Sequence, residues 1–214
     1  VNLANAVANL NNLSMDMLNG TMVMNGKYNT ANPQKPTVDF DLKITNFDIH
    51  EAYQAFTFIR KSIPVTMNCE GKISAAMTFA ATLDKEMSPI MNTANGKGYL
   101  ESQGVLINNN PAMNQLANVL KNEELSRLSI SHLKINFNLE NGNIVVEPFK
   151  TTFAGNPVTI YGKQSVEGNL DYTLSMTIDR KFFGNDINNM LKAIPGSDNI
   201  KTIDLDAKVG GTLT

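Results

Sequence analysis

Val38-Asp39-Phe40-Asp41-Leu42-Lys43-Ile44-Thr45 alternates apolar and polar residues without a break. Successive side chains of an extended chain point to opposite faces, so this stretch is a strand with one apolar and one polar face. The rhythm returns in Leu133-Lys134-Ile135-Asn136-Phe137-Asn138-Leu139-Glu140 and again from Leu170 to Asp179, where Leu170, Tyr172, Leu174, Met176 and Ile178 alternate with polar residues. Ile73, Ala75, Met77, Phe79, Ala81 and Leu83 form another such row, and Ile203, Leu205, Ala207 and Val209 a last one. Strands of this kind belong to an antiparallel sheet with one wetted side. The fold class read from them is mainly β (α+β): a curved antiparallel sheet, or a half-barrel or sandwich, with about three short amphipathic helices.

Three stretches carry helix signals. Asp48 with Glu51 three residues on is a capping box, and Ser62-Ile63-Pro64 ends the helix it opens. Asn110 and Pro111 open a second over 111–122, with Met113, Leu116, Ala117 and Leu120 at helical spacing. The third spans about 185–194, where Ile187, Met190, Leu191 and Ile194 make a stripe and Pro195-Gly196 stops it. Asn19-Gly20 and Asn141-Gly142 are hairpin signals. Residues 65–83 read as two strands broken at Gly71, and 98–107 as one further strand. A length of 214 residues fits a single domain over 1–214, with its weakest point at the proline-containing loop 29–36.

Composition excludes several functions. A formal net charge of -2 argues against a nucleic-acid surface, which needs clustered Lys and Arg. One cysteine, Cys69, rules out an intrachain disulfide and a cysteine-rich zinc site, and its strand-like setting reads as a small buried apolar residue. His50 and His132 have no partner at metal-ligand spacing. Asp39 with Asp41, and Asp204 with Asp206, share strand faces opposite apolar residues and read as solvated. No nucleophile elbow, phosphate loop or dinucleotide fingerprint is present. The chain therefore reads as a non-enzyme with no catalytic residues, no metal and no cofactor. No run approaches the roughly 20 apolar residues of a membrane span.

The alternating faces admit two readings. In one, they close on each other as an ordinary core. In the other, one face stays open to acyl chains. The pattern fits both, and by itself favours the closed core.

The stretch Gly71 to Lys181 resembles the C-terminal region of the AsmA-like family of Gram-negative envelope proteins. Gly71-Lys72-Ile73-Ser74 opens a strand that ends near Leu83-Asp84, and Met91 to Gly104 follows as a glycine-spaced strand. The capped helix 111–122, Glu140-Asn141-Gly142-Asn143-Ile144 and Pro148-Phe149 come next in order. Ile160-Tyr161-Gly162 and Gly168-Asn169-Leu170-Asp171-Tyr172 match the closing motif. The abundance of Asn looks like a Bacteroidota-type version. The resemblance implies a fragment of a large periplasmic protein, held in the inner membrane by an N-terminal helix that this sequence lacks, with a role in outer-membrane biogenesis. Related larger proteins are thought to conduct phospholipid along a hydrophobic groove in a curled sheet.

Together these readings give a non-enzymatic envelope-biogenesis module that contacts or shields phospholipid or fatty acid through a concave apolar sheet face. The lining expected is Phe40, Leu42, Ile44, Met77, Phe79, Ile135, Phe137, Tyr172, Leu174 and Met176. The alternative is a scaffold with a closed core and no lipid, working through other envelope proteins.

Overall fold

The computed structural model describes residues 2–108, 114–115, 117–118, 123–153, 156–166, 168–180 and 185–212. It is 64% strand. Eleven strands form one continuous antiparallel path: β1 (Asn2–Ala4), β2 (Val7–Met17), β3 (Gly20–Asn29), β4 (Thr37–Asp48), β5 (Cys69–Thr82), β6 (Asn95–Ser102), β9 (Leu133–Glu140), β10 (Asn143–Phe153), β11 (Asn156–Ser165), β12 (Asn169–Asp179) and β13 (Thr202–Thr212). Each pairs with its neighbour in the chain, except that β6 is followed in space by β9. The two intervening strands, β7 (Val105–Asn108) and β8 (Arg127–Ile130), leave the sheet as a ribbon that pairs with the first three residues of β5. Among the described residues β1 and β13 do not meet, so the sheet is open. It closes into neither a sandwich nor a barrel.

Local chemistry explains the turns and breaks. Asn141 and Gly142 both adopt left-handed backbone (φ 49° and 77°), the two-residue turn whose twist matches that of the flanking strands. The expected Asn19-Gly20 hairpin forms one residue earlier. Leu18 and Asn19 take the left-handed positions (φ 50° and 57°), and Gly20 already pairs with Met17. Gly71 does not divide two strands: β5 runs through it. It is where β5 changes partner from β7 to β4, and a Cβ there would meet the Gly104 carbonyl oxygen at 2.3 Å. Residues 65–68, expected as strand, lie instead in a 3-10 turn over Pro64–Asn68, started by proline at its first position. The strand expected over 98–107 is two, because at Gln103 and Gly104 the chain leaves the sheet for the ribbon.

Among the described residues helix is scarcer than expected. The capped segment starts as foreseen, with Asp48 accepting a hydrogen bond from the Glu51 amide (3.0 Å). It then splits at Phe56, whose backbone is extended, into α1 (Ile49–Ala55) and α2 (Thr57–Ser62). Of the helix expected over 111–122, Asn114, Gln115, Ala117 and Asn118 are helical, and the rest lies outside the described residues. The last helix, α3, covers Asn185–Lys192. Two residues of its stripe are left uncovered: Met190 is 74% exposed and Ile194, just past the helix, 54%. Polar contacts hold this segment instead. The Arg180 guanidinium donates to Asn188 Oδ1 (3.0 Å) and to the carbonyls of Ser197 and Ile200.

Two buried clusters lie at opposite ends of the strands on the apolar face. One packs Ile49 of α1, Cys69, Val105, Leu128 and Ile130 against Val158 of β11. The ribbon, α1 and Ala117 thereby cover the sheet near Ile73, Leu133 and Met176. The other gathers Phe79, Ala81 and Leu139 beneath Ala94 and Met91 of the β5–β6 connection. Phe40 stacks on Phe79 with ring centroids 5.0 Å apart.

Glycine and aromatic residues face each other across the strands. Register pairs Gly26 with Phe40, Gly96 with Phe79, Gly98 with Phe137 and Gly162 with Tyr172. A ring lying over a bare backbone fills the space that a side chain would take. At Gly98 a Cβ would meet the Ala76 carbonyl oxygen at 2.5 Å and the Phe137 ring at 2.7 Å. Gly98→Val should therefore lower unfolding stability by about 3 kcal/mol through overpacking, measured by chemical denaturation.

Candidate functional site

Directly opposite residues of antiparallel strands share a face. Followed across the sheet, the register joins Met24, Leu42, Met77, Gly98, Phe137, Val146, Gly162, Tyr172 and Val209 in one row. Parallel rows carry Ile44 with Ile135, Phe40 with Phe79, Leu174 with Ala207, and Met176 with Leu205. All ten residues expected to line a groove therefore lie on the same face. Three register shifts preserve that parity where the strands bend, at Leu10/Leu13, Ile44/Phe47 and Val146/Phe149.

Burial differs among the ten. Phe79 is buried in the second cluster, and Phe40 and Met77 pack against it. Leu174 and Met176 pack against the first cluster. Leu42, Ile44, Ile135, Phe137 and Tyr172 belong to neither cluster and are half-buried, as are Met24, Leu100 and Val146 beside them. The result is a belt of partly uncovered apolar side chains between two closed ends. It runs across the strands from β3 to β13, about 38 Å at ~4.8 Å per strand spacing. At its far end Val209 is 46% exposed.

The opposite face carries a feature that sequence reading missed. A hollow of about 630 Å³ is lined by Asp41, Lys43, Lys97, Tyr99, Asn136 and Asn138 of that face, and also by Leu42, Met77 and Phe137 of the belt row. The six polar residues come from three strands, and only the pairing register brings them together, so no local motif could have announced them. Their polarity reads as an ordinary solvated face. Lys134 Nζ lies 5.8 Å above the centre of the Tyr99 ring on this same side, a cation–π contact.

Titratable groups are sparse in the apolar region. Burial pushes the Tyr172 phenol upward, so it stays a neutral hydrogen-bonding group at the belt. Burial likewise pushes the Cys69 thiol up from 9.0 to about 11. Its Sγ donates to the Val65 carbonyl (3.3 Å). Asp204 and Asp206 accept hydrogen bonds from the Thr177 (2.7 Å) and Ser175 (2.6 Å) hydroxyls across the β12–β13 pair. They therefore serve the outer face of the sheet. Among the described residues no group of three or more His, Cys, Asp or Glu side chains could hold a metal, and no helix is long and apolar enough to cross a membrane.

No family model matches the chain, and no curated protein or solved structure matches it either.

The Cys69 environment has a measurable consequence. Alkylation of the folded protein by iodoacetamide should be slow at pH 8 and should accelerate only as the pH approaches about 11, whereas in denaturant it should proceed near the ordinary thiol pKa. A thiol pKa raised by folding contributes stability below pH 9.0 that is lost as the pH climbs through about 11.

Proposed function

We propose that this chain is a non-enzymatic module of the bacterial cell envelope that holds or shields the acyl chains of phospholipid or fatty acid on its apolar belt. The observation that carries this reading is the belt itself: half-exposed Leu42, Ile44, Ile135, Phe137 and Tyr172 between two buried clusters. Its length exceeds that of an extended sixteen-carbon tail. Burying such a tail contributes at most about 12 kcal/mol, at ~0.8 kcal/mol per methylene, before the cost of association. The motifs shared with the AsmA-like C-terminal region point the same way. On this reading the chain is part of a larger periplasmic protein anchored in the inner membrane, and supports outer-membrane assembly.

A second reading, a scaffold that binds envelope proteins and no lipid, draws support from the two clusters that already close both ends of the apolar face. Native mass spectrometry of protein purified without detergent separates the two. The lipid reading expects a co-purifying phospholipid or fatty acid, identified by solvent extraction. Phe137→Glu should abolish that adduct while leaving the far-ultraviolet circular dichroism unchanged, because Phe137 is only half-buried and lies outside both clusters. Leu139→Asp, inside the second cluster, should unfold the protein. A protein that stays free of lipid after incubation with phospholipid vesicles would make the belt part of the protein's own core, and the scaffold reading would stand.

A further inference from the structure

The two edges of the sheet are built differently. The first is interrupted: Asn5 and Ala6 turn the chain with left-handed backbone, and β2 carries a bulge at Asn12 (φ 51°). Bulges and edge charges are how sheet edges avoid joining other chains. β13 has no bulge, and the charges it carries, Asp204, Asp206 and Lys208, are of both signs. It pairs with β12 over eleven consecutive residues without a register shift, contains no proline, and has no strand on its outer side among the described residues. Only Ile203 and Ala207 of its residues are half-buried, and the others are exposed, Leu205 and Val209 included.

We propose that the outer edge of β13 pairs antiparallel with β13 of a second copy of this chain, about a two-fold axis perpendicular to the sheet at Ala207. Opposing residues must share a face, so the relative register changes in steps of two residues and the two-fold moves by one residue at each step. Full overlap places Thr202 opposite Thr212 and Ala207 opposite its own copy. In that register Leu205 faces Val209 on the apolar side, and Asp206 faces Lys208 on the polar side, each pair occurring twice by symmetry. Sliding by one step in one direction keeps two opposite-charge pairs, Asp204 with Lys208, but sets Asp206 against Asp206 between them. Sliding in the other sets Lys208 against Lys208. Opposite charges directly across a strand pair stabilise it and like charges destabilise it. The charge pattern of β13 therefore selects the one register that also uses its whole length. In the dimer the apolar belt continues from one copy into the next, and the inference stands whether or not the belt holds lipid.

Sedimentation equilibrium on the whole chain should show a concentration-dependent monomer–dimer equilibrium. Lys208→Asp, which places two acidic pairs across the two-fold, should weaken association about tenfold, and Asp206→Lys/Lys208→Asp should restore it. Asp206 also accepts the Ser175 hydroxyl, so thermal melts of each variant separate loss of folding from loss of association. Directly opposed Cα atoms in an antiparallel pair are ~4.5–5.5 Å apart, within the span of a disulfide. Ala207→Cys should therefore cross-link to a covalent dimer under mild oxidation, while Val209→Cys, which faces Leu205, should not. The buried native Cys69 does not compete. A protein that remains monomeric at all concentrations would overturn the proposal. So would a dimer that is indifferent to Lys208→Asp, or one that Ala207→Cys does not cross-link.

Discussion

Parity is the constraint on which this structure depends. A strand has a side-chain period of two, so slipping one residue anywhere in the sheet would send every later apolar side chain into water. The register carries one apolar face through the sheet from Met24 to Val209 without such an error. It does so through three shifts that bend the strands, and at each the inserted residues return the apolar set to the same side. Asn12 and Asn46 sit at two of these shifts with left-handed backbone (φ 51° and 57°), a conformation that asparagine tolerates better than most residues. The abundance of asparagine thus has a structural use in the bends as well as in turns.

Closure of the apolar face comes from its additions rather than from a second sheet. The β7–β8 ribbon, α1 and the β5–β6 connection cover only the two ends of the strands, leaving the middle half-buried. Aromatic rings over glycines keep that middle low in relief, since Phe137 and Tyr172 lie over Gly98 and Gly162. Curvature, covering and glycine placement together produce a strip of apolar surface instead of a sealed core.

Strands were the legible part of the sequence. Val38–Thr45, Leu133–Glu140 and Leu170–Asp179 all lie within strands, and the faces assigned to them agree with the register. Alternation is written locally, so it can be read without knowing the neighbour. The misreadings fall where a distant partner decides. Gly71 is a change of partner rather than a break, and that depends on β7, some thirty residues later. The departure at Gln103 and Gly104 creates a ribbon that no periodicity marks. The stripe of Met190 and Ile194 promised a packed helix, but helical spacing states only that a face exists, and here the segment is held by Arg180. The ten belt residues were legible as apolar strand positions. Which of them stay uncovered was not, because that is set by the β5–β6 connection and by the ribbon.

A sheet in which nearly every strand touches only its neighbours in the chain behaves as a one-dimensional array. Removing β13 uncovers β12 and no other strand, and the same holds in turn from the β1 side. The cluster that ties Cys69 of β5 through the ribbon to Val158 of β11 interrupts this linear order and binds the middle of the array into one cooperative unit. Amide hydrogen exchange should then be graded along the chain: slowest in β5 through β11, and faster strand by strand toward both edges. The two ends of the sheet can fray, or gain a strand, without disturbing the centre.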